Sequence, residues 1–348
     1  MKKLTSGNEA IAEAAVQAGC RFYAGYPITP QNEICAYFAR RMPEVGGVFI
    51  QSESEVAAIN MVFGASAAGA RAMTSSSSPG ISLKQEGISY IAACRLPVVI
   101  VNMMRGGPGL GDIRPSQSDY FQATKGGGHG DYHLLVFAPE NVQEAYDLTF
   151  QAFYYADYYR NPAMILGDGI LGQMMEPFEE HTVSFPYEIP PKDYILDGCA
   201  GREARDVKSL FLREGVLEKH NDLLQEQYAR MQKEAVRYEA TDTDDADIVL
   251  VAYGTVSRIC RAVMDEAKAK GIKIGLFRPI TLWPFPTTAL KNAIKKKQKV
   301  LVVEMSSGQM VEDVRLAING KTQVSFYGRT GGGVPLVEDV VRKVETLV

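Results

Sequence analysis

The stretch Gln51-Ser52-Glu53-Ser54-Glu55-Val56-Ala57-Ala58, running on to Gly64-Ala65-Ser66-Ala67-Ala68-Gly69-Ala70, puts a carboxylate at the start of a helix built from small residues. Upstream lies Gly25-Tyr26-Pro27-Ile28-Thr29-Pro30, and downstream lies Thr74-Ser75-Ser76-Ser77-Ser78-Pro79-Gly80. Each segment follows a short apolar run of strand character: Phe22-Tyr23-Ala24, Val48-Phe49-Ile50 and Ala72-Met73-Thr74. All three are therefore expected at one edge of a parallel sheet, where open α/β sheets build their sites.

The alternation continues outward. Gly87 to Ala93 reads as helical, Pro97-Val98-Val99-Ile100-Val101 as a buried strand, and Arg105 to Gly130 as a glycine-rich stretch. Leu134 to Phe137, Val142 to Tyr155 and Ala163 to Leu166 then predict strand, helix and strand. Strands alternating with helices imply a doubly wound parallel sheet. A proline-rich connector follows near Phe185 to Pro191, and Asp206 to Tyr238 has a long, highly charged helical pattern suited to a surface or a domain junction. The α/β alternation restarts at Ile248-Val249-Leu250-Val251-Ala252. The expected organisation is a first domain over 1–190, a connector over 191–245 and a smaller α/β domain over 246–348.

At 348 residues the chain exceeds one ordinary core. A formal net charge of −4 provides no general field for nucleic acid or an anionic membrane. The basic run Lys291 to Lys299 reads most simply as the solvated end of a helix. The five cysteines are far apart without a C-x-x-C, and the four histidines add no ligand spacing, which argues against an iron–sulfur or zinc site held by this chain alone. With no signal peptide and no run of eighteen apolar residues, the expectation is a soluble cytoplasmic chain with reduced thiols.

Three side chains invite a chemical reading. Glu55, flanked by apolar residues, suits a carboxyl that must hold and release a proton; equally, a carboxylate in a first helical turn is favoured by the macrodipole alone. Thr29 lies in a segment stiffened by Pro27 and Pro30, which would aim its hydroxyl or simply make a rigid loop. Arg105, at the end of a buried strand, could take a substrate carboxylate in two parallel hydrogen bonds or form an ordinary surface ion pair. The glycines form no phosphate loop and no dinucleotide fingerprint. Gly167-Asp168-Gly169 is present, but no Asn-Asn follows it, so the thiamine motif for magnesium and diphosphate is missing.

A glutamate opening an Ala/Gly-rich helix nine residues before Gly64 resembles the half of a thiamine diphosphate site that grips the pyrimidine ring. Glu53 is a rival, but the spacing selects Glu55. With Gly25-Tyr26-Pro27-Ile28-Thr29-Pro30, the loop Ser78-Pro79-Gly80, Met104-Arg105-Gly106-Gly107-Pro108 and Phe277-Arg278-Pro279-Ile280-Thr281-Leu282-Trp283-Pro284, essentially the whole chain resembles the pyrimidine-domain subunit of the 2-oxoacid:ferredoxin oxidoreductases. The segment from Gly109 to Gln117 departs from the Ser-Thr-Gly-x-Pro of many relatives and looks most like the branched-chain, 3-methyl-2-oxobutanoate subgroup.

The resemblance implies a thiamine-diphosphate-binding domain followed by a transketolase C-terminal-like domain. It implies that Glu55 activates the cofactor by exchanging a proton with its pyrimidine ring. It implies that Pro27, Ile28 and Ser78 help bind it, and that Thr29 and Arg105 contact the keto and carboxylate groups of the 2-oxoacid. The implied reaction is coenzyme A-dependent oxidative decarboxylation with ferredoxin reduction. Partner subunits would carry the diphosphate/Mg2+ half-site and the 4Fe–4S clusters, in an anaerobic setting. Two alternatives stay open: the equivalent subunit of a lipoamide-linked branched-chain dehydrogenase, and a non-catalytic scaffold.

Overall fold

The computed structural model describes residues 2–348. In the first half the elements are β1 (Lys2–Ser6), α1 (Gly7–Gln17), β2 (Phe22–Gly25), α2 (Asn32–Glu44), β3 (Val48–Gln51), α3 (Glu55–Ala67), β4 (Ala72–Ser76) and α4 (Ser78–Ala93). β5 (Val98–Gly106), β6 (Asp112–Pro115), α5 (Tyr120–Thr124), β7 (Leu135–Phe137), α6 (Val142–Tyr159), β8 (Ala163–Asp168), α7 (Gly169–Gln173) and β9 (Met175–Glu179) follow. After residues 180–215, which carry no helix or strand, come α8 (Val216–Glu234), β10 (Tyr238–Thr241), β11 (Ile248–Val251), α9 (Gly254–Ala269), β12 (Ile274–Pro279) and β13 (Thr281–Trp283). The chain closes with α10 (Thr287–Ala293), β14 (Lys299–Glu304), α11 (Met310–Ile318), β15 (Val324–Gly328) and α12 (Val337–Glu345).

The first sheet runs β13-β7-β8-β5-β4-β2-β3, with β6 folded back antiparallel on β5. Its strands from β7 to β3 are parallel, and those at its centre are buried along their whole length, as a sheet covered on both faces requires. The cover is close because α1 is alanine-rich: Ala10, Ala12, Ala14 and Ala15 are fully buried as it packs on α6. The second sheet, β10-β12-β11-β14-β15, is parallel except for β10.

Three local expectations are corrected. Ser78-Pro79-Gly80 is not a loop but the first turn of α4, the helix that also holds Gly87 to Ala93; proline at a first turn removes an N–H that has no helical partner anyway. Arg105 lies inside β5, because the antiparallel return of β6 extends that strand to Gly106. The charged helix is shorter than its pattern: α8 starts after Gly215, whose left-handed backbone (φ 73°) breaks the preceding residues from the helix. It lies across the first domain, with Leu224, Tyr228 and Met231 buried and Gln227 bonded to Asn161.

The two sheets share more than a tether. β13, from the C-terminal region, pairs antiparallel with β7 and thus completes the first sheet. Buried Gln117 donates its backbone N–H to Met305 O (2.8 Å) while its amide contacts Met305 N (3.0 Å) and Tyr253 O (3.0 Å). Arg278 of β12 forks onto Glu144 of α6 (2.8 and 2.7 Å) and also meets Glu239 at 3.1 Å. Its side chain is 3% exposed, so its charge depends on these carboxylates. Arg278→Ala is expected to destabilise the chain by about 3 kcal/mol, the low end for breaking a buried ion pair because Glu144 keeps some solvent. Urea unfolding with the same m-value in both proteins provides the measurement.

Candidate active site

β4, β2 and β3 are neighbours, so the segments that follow them emerge side by side, together with the end of β5. The turn after β3 is held by Ser52, whose hydroxyl lies within hydrogen-bond distance of both Gly25 O (3.1 Å) and Ser54 O (2.9 Å) and shares its one proton between them. Ser54 then caps α3 by accepting the Ala57 N–H at 3.2 Å. That geometry aims Glu55 inward and Glu53 outward: Glu55 is 6% exposed, Glu53 lies in solvent.

Glu55 lies against the first turn of α4. A Cβ added to Gly80 would fall 2.7 Å from Glu55 Oε1 and 2.1 Å from Ser76 Oγ, so only glycine leaves room for both. The Ser76 hydroxyl beside this carboxylate, and the Ser77 hydroxyl next to it in sequence, are fully buried yet have no hydrogen-bond partner. Orphaned buried hydroxyls are costly unless something completes them. Behind them Tyr23 OH bonds Ser75 Oγ at 2.6 Å, and Gln31 accepts from Ser75. Lys84, fully buried on α4, contacts Glu55 O and Thr74 Oγ1.

Ser78 is occupied. Its hydroxyl donates to Asp119 Oδ2 (2.6 Å) and accepts the Arg105 N–H (3.0 Å), while Asn102 Nδ2 holds the same Asp119 oxygen at 2.9 Å. Burial pushes the Asp119 carboxyl above its usual value, against the hydrogen bonds from Ser78 and Asn102. Ser78 therefore ties α4 to β5.

Arg105 is 6% exposed. Its guanidinium donates to two carbonyl oxygens, Thr29 O (3.1 Å) and Leu110 O (2.9 Å), and its Nε–H is unpartnered. Neutral carbonyls do not balance a buried positive charge, so the group is ready for an anion. Thr29, by contrast, is exposed, and its hydroxyl has only a 3.5 Å contact from Asn32. It lines a cavity of about 280 Å3 with Pro30, Glu33, Ile113 and Gln173. Pro27 and Ile28 are half-buried between these groups, and the Ile28 carbonyl accepts the Gln31 N–H.

The structure thus joins Arg105 to the backbone of Thr29 and sets Glu55 among serines. Ser76, Ser77 and Gly80 lie in a segment singled out from sequence without individual roles, whereas Asp119 and Lys84 were not singled out. A signal existed for Lys84, which shares the inward face of α4 with Ile81 and Ile88 at helical spacing. None existed for Asp119, whose partners lie far away in the chain. Among the described residues no three His, Cys, Asp or Glu side chains gather as a metal site would require.

The chain is an α/β protein with two sheets, presenting a buried glutamate and an arginine with an unpartnered Nε–H at the edge of the first. The family described as pyruvate flavodoxin/ferredoxin oxidoreductase, thiamine diphosphate-binding, matches residues 13–197, and pyruvate:ferredoxin oxidoreductase core domain II matches residues 246–340. The ketoisovalerate oxidoreductase subunit VorB of Methanothermobacter thermautotrophicus is 50% identical over 346 residues, covering 98% of this chain and 97% of that protein. The solved 2-oxoglutarate:ferredoxin oxidoreductase from Magnetococcus marinus, with 2-oxoglutarate, coenzyme A and succinyl-CoA bound, superposes with a TM-score of 0.82 at 26% identity. It covers 99% of this chain, which spans 65% of that one. A split-gene transketolase shares the fold alone, with a TM-score of 0.61 at 14% identity over 98% of this chain and 97% of its own. The chain belongs to the 2-oxoacid:ferredoxin oxidoreductase family, in its thiamine diphosphate-binding branch.

The residues present fit the pyrimidine half of that cofactor: a buried carboxyl, free hydroxyls beside it and a glycine that keeps the approach open. Gly80→Ala is expected to displace the Glu55 carboxyl and to cost about 1–3 kcal/mol as an overpacking change. Thermal unfolding and the variant's crystal structure check both outcomes; an unmoved Glu55 would contradict the packing argument.

Proposed function

We propose that this chain is the pyrimidine-half-site subunit of a 2-oxoacid:ferredoxin oxidoreductase, acting on 3-methyl-2-oxobutanoate. The complex would convert the 2-oxoacid and coenzyme A to acyl-CoA and carbon dioxide, with the electrons passing to ferredoxin. The observation that carries this reading is the buried, uncompensated guanidinium of Arg105, at the same sheet edge as a buried carboxyl set among partnerless serines. The choice of a branched substrate is supported by half-identity to a ketoisovalerate oxidoreductase subunit across nearly the full length of both chains.

In this reading Glu55 holds and exchanges the proton of a ring nitrogen. Ser76 and Ser77 complete the polar wall, and Pro27 and Ile28 border the bound ring. Ser78 holds α4 in place through Asp119. Arg105 takes the substrate carboxylate through its free Nε–H and the outer edge of its fork. Thr29 donates its exposed hydroxyl to the keto oxygen. The cofactor, when bound, supplies the carbon nucleophile. Partner subunits provide the diphosphate and Mg2+ half-site and the iron–sulfur clusters, since the cysteines here are scattered and largely buried. A cytoplasmic location accords with five free thiols, and among the described residues no helix is long and apolar enough to cross a membrane.

The test is anaerobic assembly with the partner subunits and a panel of 2-oxoacids. Turnover with ferredoxin or a viologen, but not lipoamide, and preference for 3-methyl-2-oxobutanoate over pyruvate are expected. Glu55→Gln keeps shape but loses the exchangeable proton, so kcat should fall roughly 100- to 10,000-fold with cofactor still bound. Full activity in that variant would remove the proposed role.

Arg105→Lys retains the charge without the planar fork and should raise KM more than it lowers kcat. Thr29→Val should act mainly on kcat, because its hydrogen bond strengthens as the keto oxygen gains charge. Steady-state kinetics beside a cofactor titration separate these effects; unchanged kinetics in both would place the substrate elsewhere.

A further inference from the structure

Lys84 is 0% exposed, an unusual state for the most hydrated of cations. It projects from the inward face of α4 into the space between α3 and β4. Its ammonium donates to Glu55 O at 3.3 Å and to Thr74 Oγ1 at 3.1 Å, both neutral acceptors. An apolar side chain of the same length would fill this volume without the desolvation cost. The charge itself therefore needs an explanation.

The groups facing it come from four elements. Glu55 on α3 raises the ammonium pKa, as does Cys35 on α2, more weakly, while desolvation dominates and holds it near 8, below the usual 10.5. Thr74 on β4 is neutral. Cys35 is hydrogen-bonded to Tyr23 of β2 at 3.1 Å, and burial pushes both the thiol and the phenol upward, so neither is charged near neutral pH. Glu55 is left as the principal ionic counterpart of Lys84. Among the described residues no other lysine is fully buried.

We propose that Lys84 is a positioning residue for Glu55: its ammonium, held beside the first turn of α3 at the Glu55 carbonyl, stabilises the Glu55 carboxylate when the carboxyl proton leaves Oε for the bound ring nitrogen. The proton returns to the same carboxylate later in the cycle, so no net charge or proton is consumed. This role rests on the function proposed above for Glu55. It makes the carboxylate's charge balance internal to this chain, independent of the partner subunit.

Two substitutions test it, Lys84→Met (the same length, no charge) and Lys84→Gln (a hydrogen-bond donor, no charge), each alone and with Glu55→Gln, in the assembled complex. Both single variants should lose roughly ten- to a hundredfold in kcat with little change in KM, the scale of one nearby charge in a protein interior. The wild-type decline in kcat as pH rises through about 8 should disappear in both. In the Glu55→Gln background the second substitution should cost nothing further, because the carboxylate it supports is gone.

A readout independent of turnover uses the cofactor-free full chain. The folded pKa of Lys84 lies below its unfolded value, so between about 8 and 10.5 the unfolded state binds more protons and wild-type stability rises with pH. Lys84→Met should therefore be more stable than wild type at neutral pH, with the gap closing across that window. Several results would overturn the proposal: wild-type kcat in either variant, equal further losses in the Glu55→Gln background, or a stability difference that ignores pH. Restoration by glutamine alone would assign the effect to hydrogen bonding and overturn it too. Full activity of Glu55→Gln by itself would instead sink the proposed function, and so the two failures are told apart.

Discussion

The carboxyl of Glu55 rests on the bare backbone of Gly80, and much of the site's arrangement follows from that contact. It requires two helices, α3 and α4, to begin close together after β3 and β4, the parallel strands on either side of β2. It requires the turn after β3 to be stiff, which Ser52 and Ser54 ensure by bonding backbone on both sides. It also requires α4 to start abruptly, which Pro79 in its first turn and the Ser78–Asp119–Asn102 network achieve. Each device is a modest hydrogen bond or cap. Together they hold a buried acid in one place against the Gly80 backbone.

The second constraint is electrostatic. Two cations, Arg105 and Lys84, are buried at one sheet edge on neutral oxygen acceptors. Elsewhere the chain balances its buried charges directly, as Arg278 is balanced by Glu144 and Glu239. The contrast separates charges balanced within the chain from charges left without an anionic partner. Asp168 and Thr255, Tyr120 and Asp313, and Gln117 with Met305 add further polar contacts across the junction. The domain contact is therefore specific in register, and β13 makes it continuous with the first sheet.

Much of this was legible in the residues. Apolar runs of strand length alternating with helical patterns located most elements, because both periodicities are local, but β1, α2, β6, α5, α7, β9, β10 and β13 were not read from the sequence. Glu55 could be chosen over Glu53 from spacing, and burial supports the same choice for a separate reason: the cap at Ser54 turns one carboxylate inward and leaves the other in water. The Ser78-Pro79-Gly80 segment was misread because its composition suits a turn, whereas its place at a helix start made proline and glycine useful there.

By itself the sequence determined the α/β alternation and the three segments that meet at the edge of the first sheet. Tertiary structure decided which polar atoms remain without partners. Ser76, Ser77 and the Arg105 Nε–H look no different in sequence from their satisfied neighbours Ser75, Ser78 and Arg278. Satisfaction depends on residues tens to hundreds of positions away, such as Asp119 for Ser78 and Glu144 for Arg278. A charge or hydroxyl becomes chemically available only when packing removes water and places no partner beside it, and that is a property of the assembled interior and not of any local run of residues.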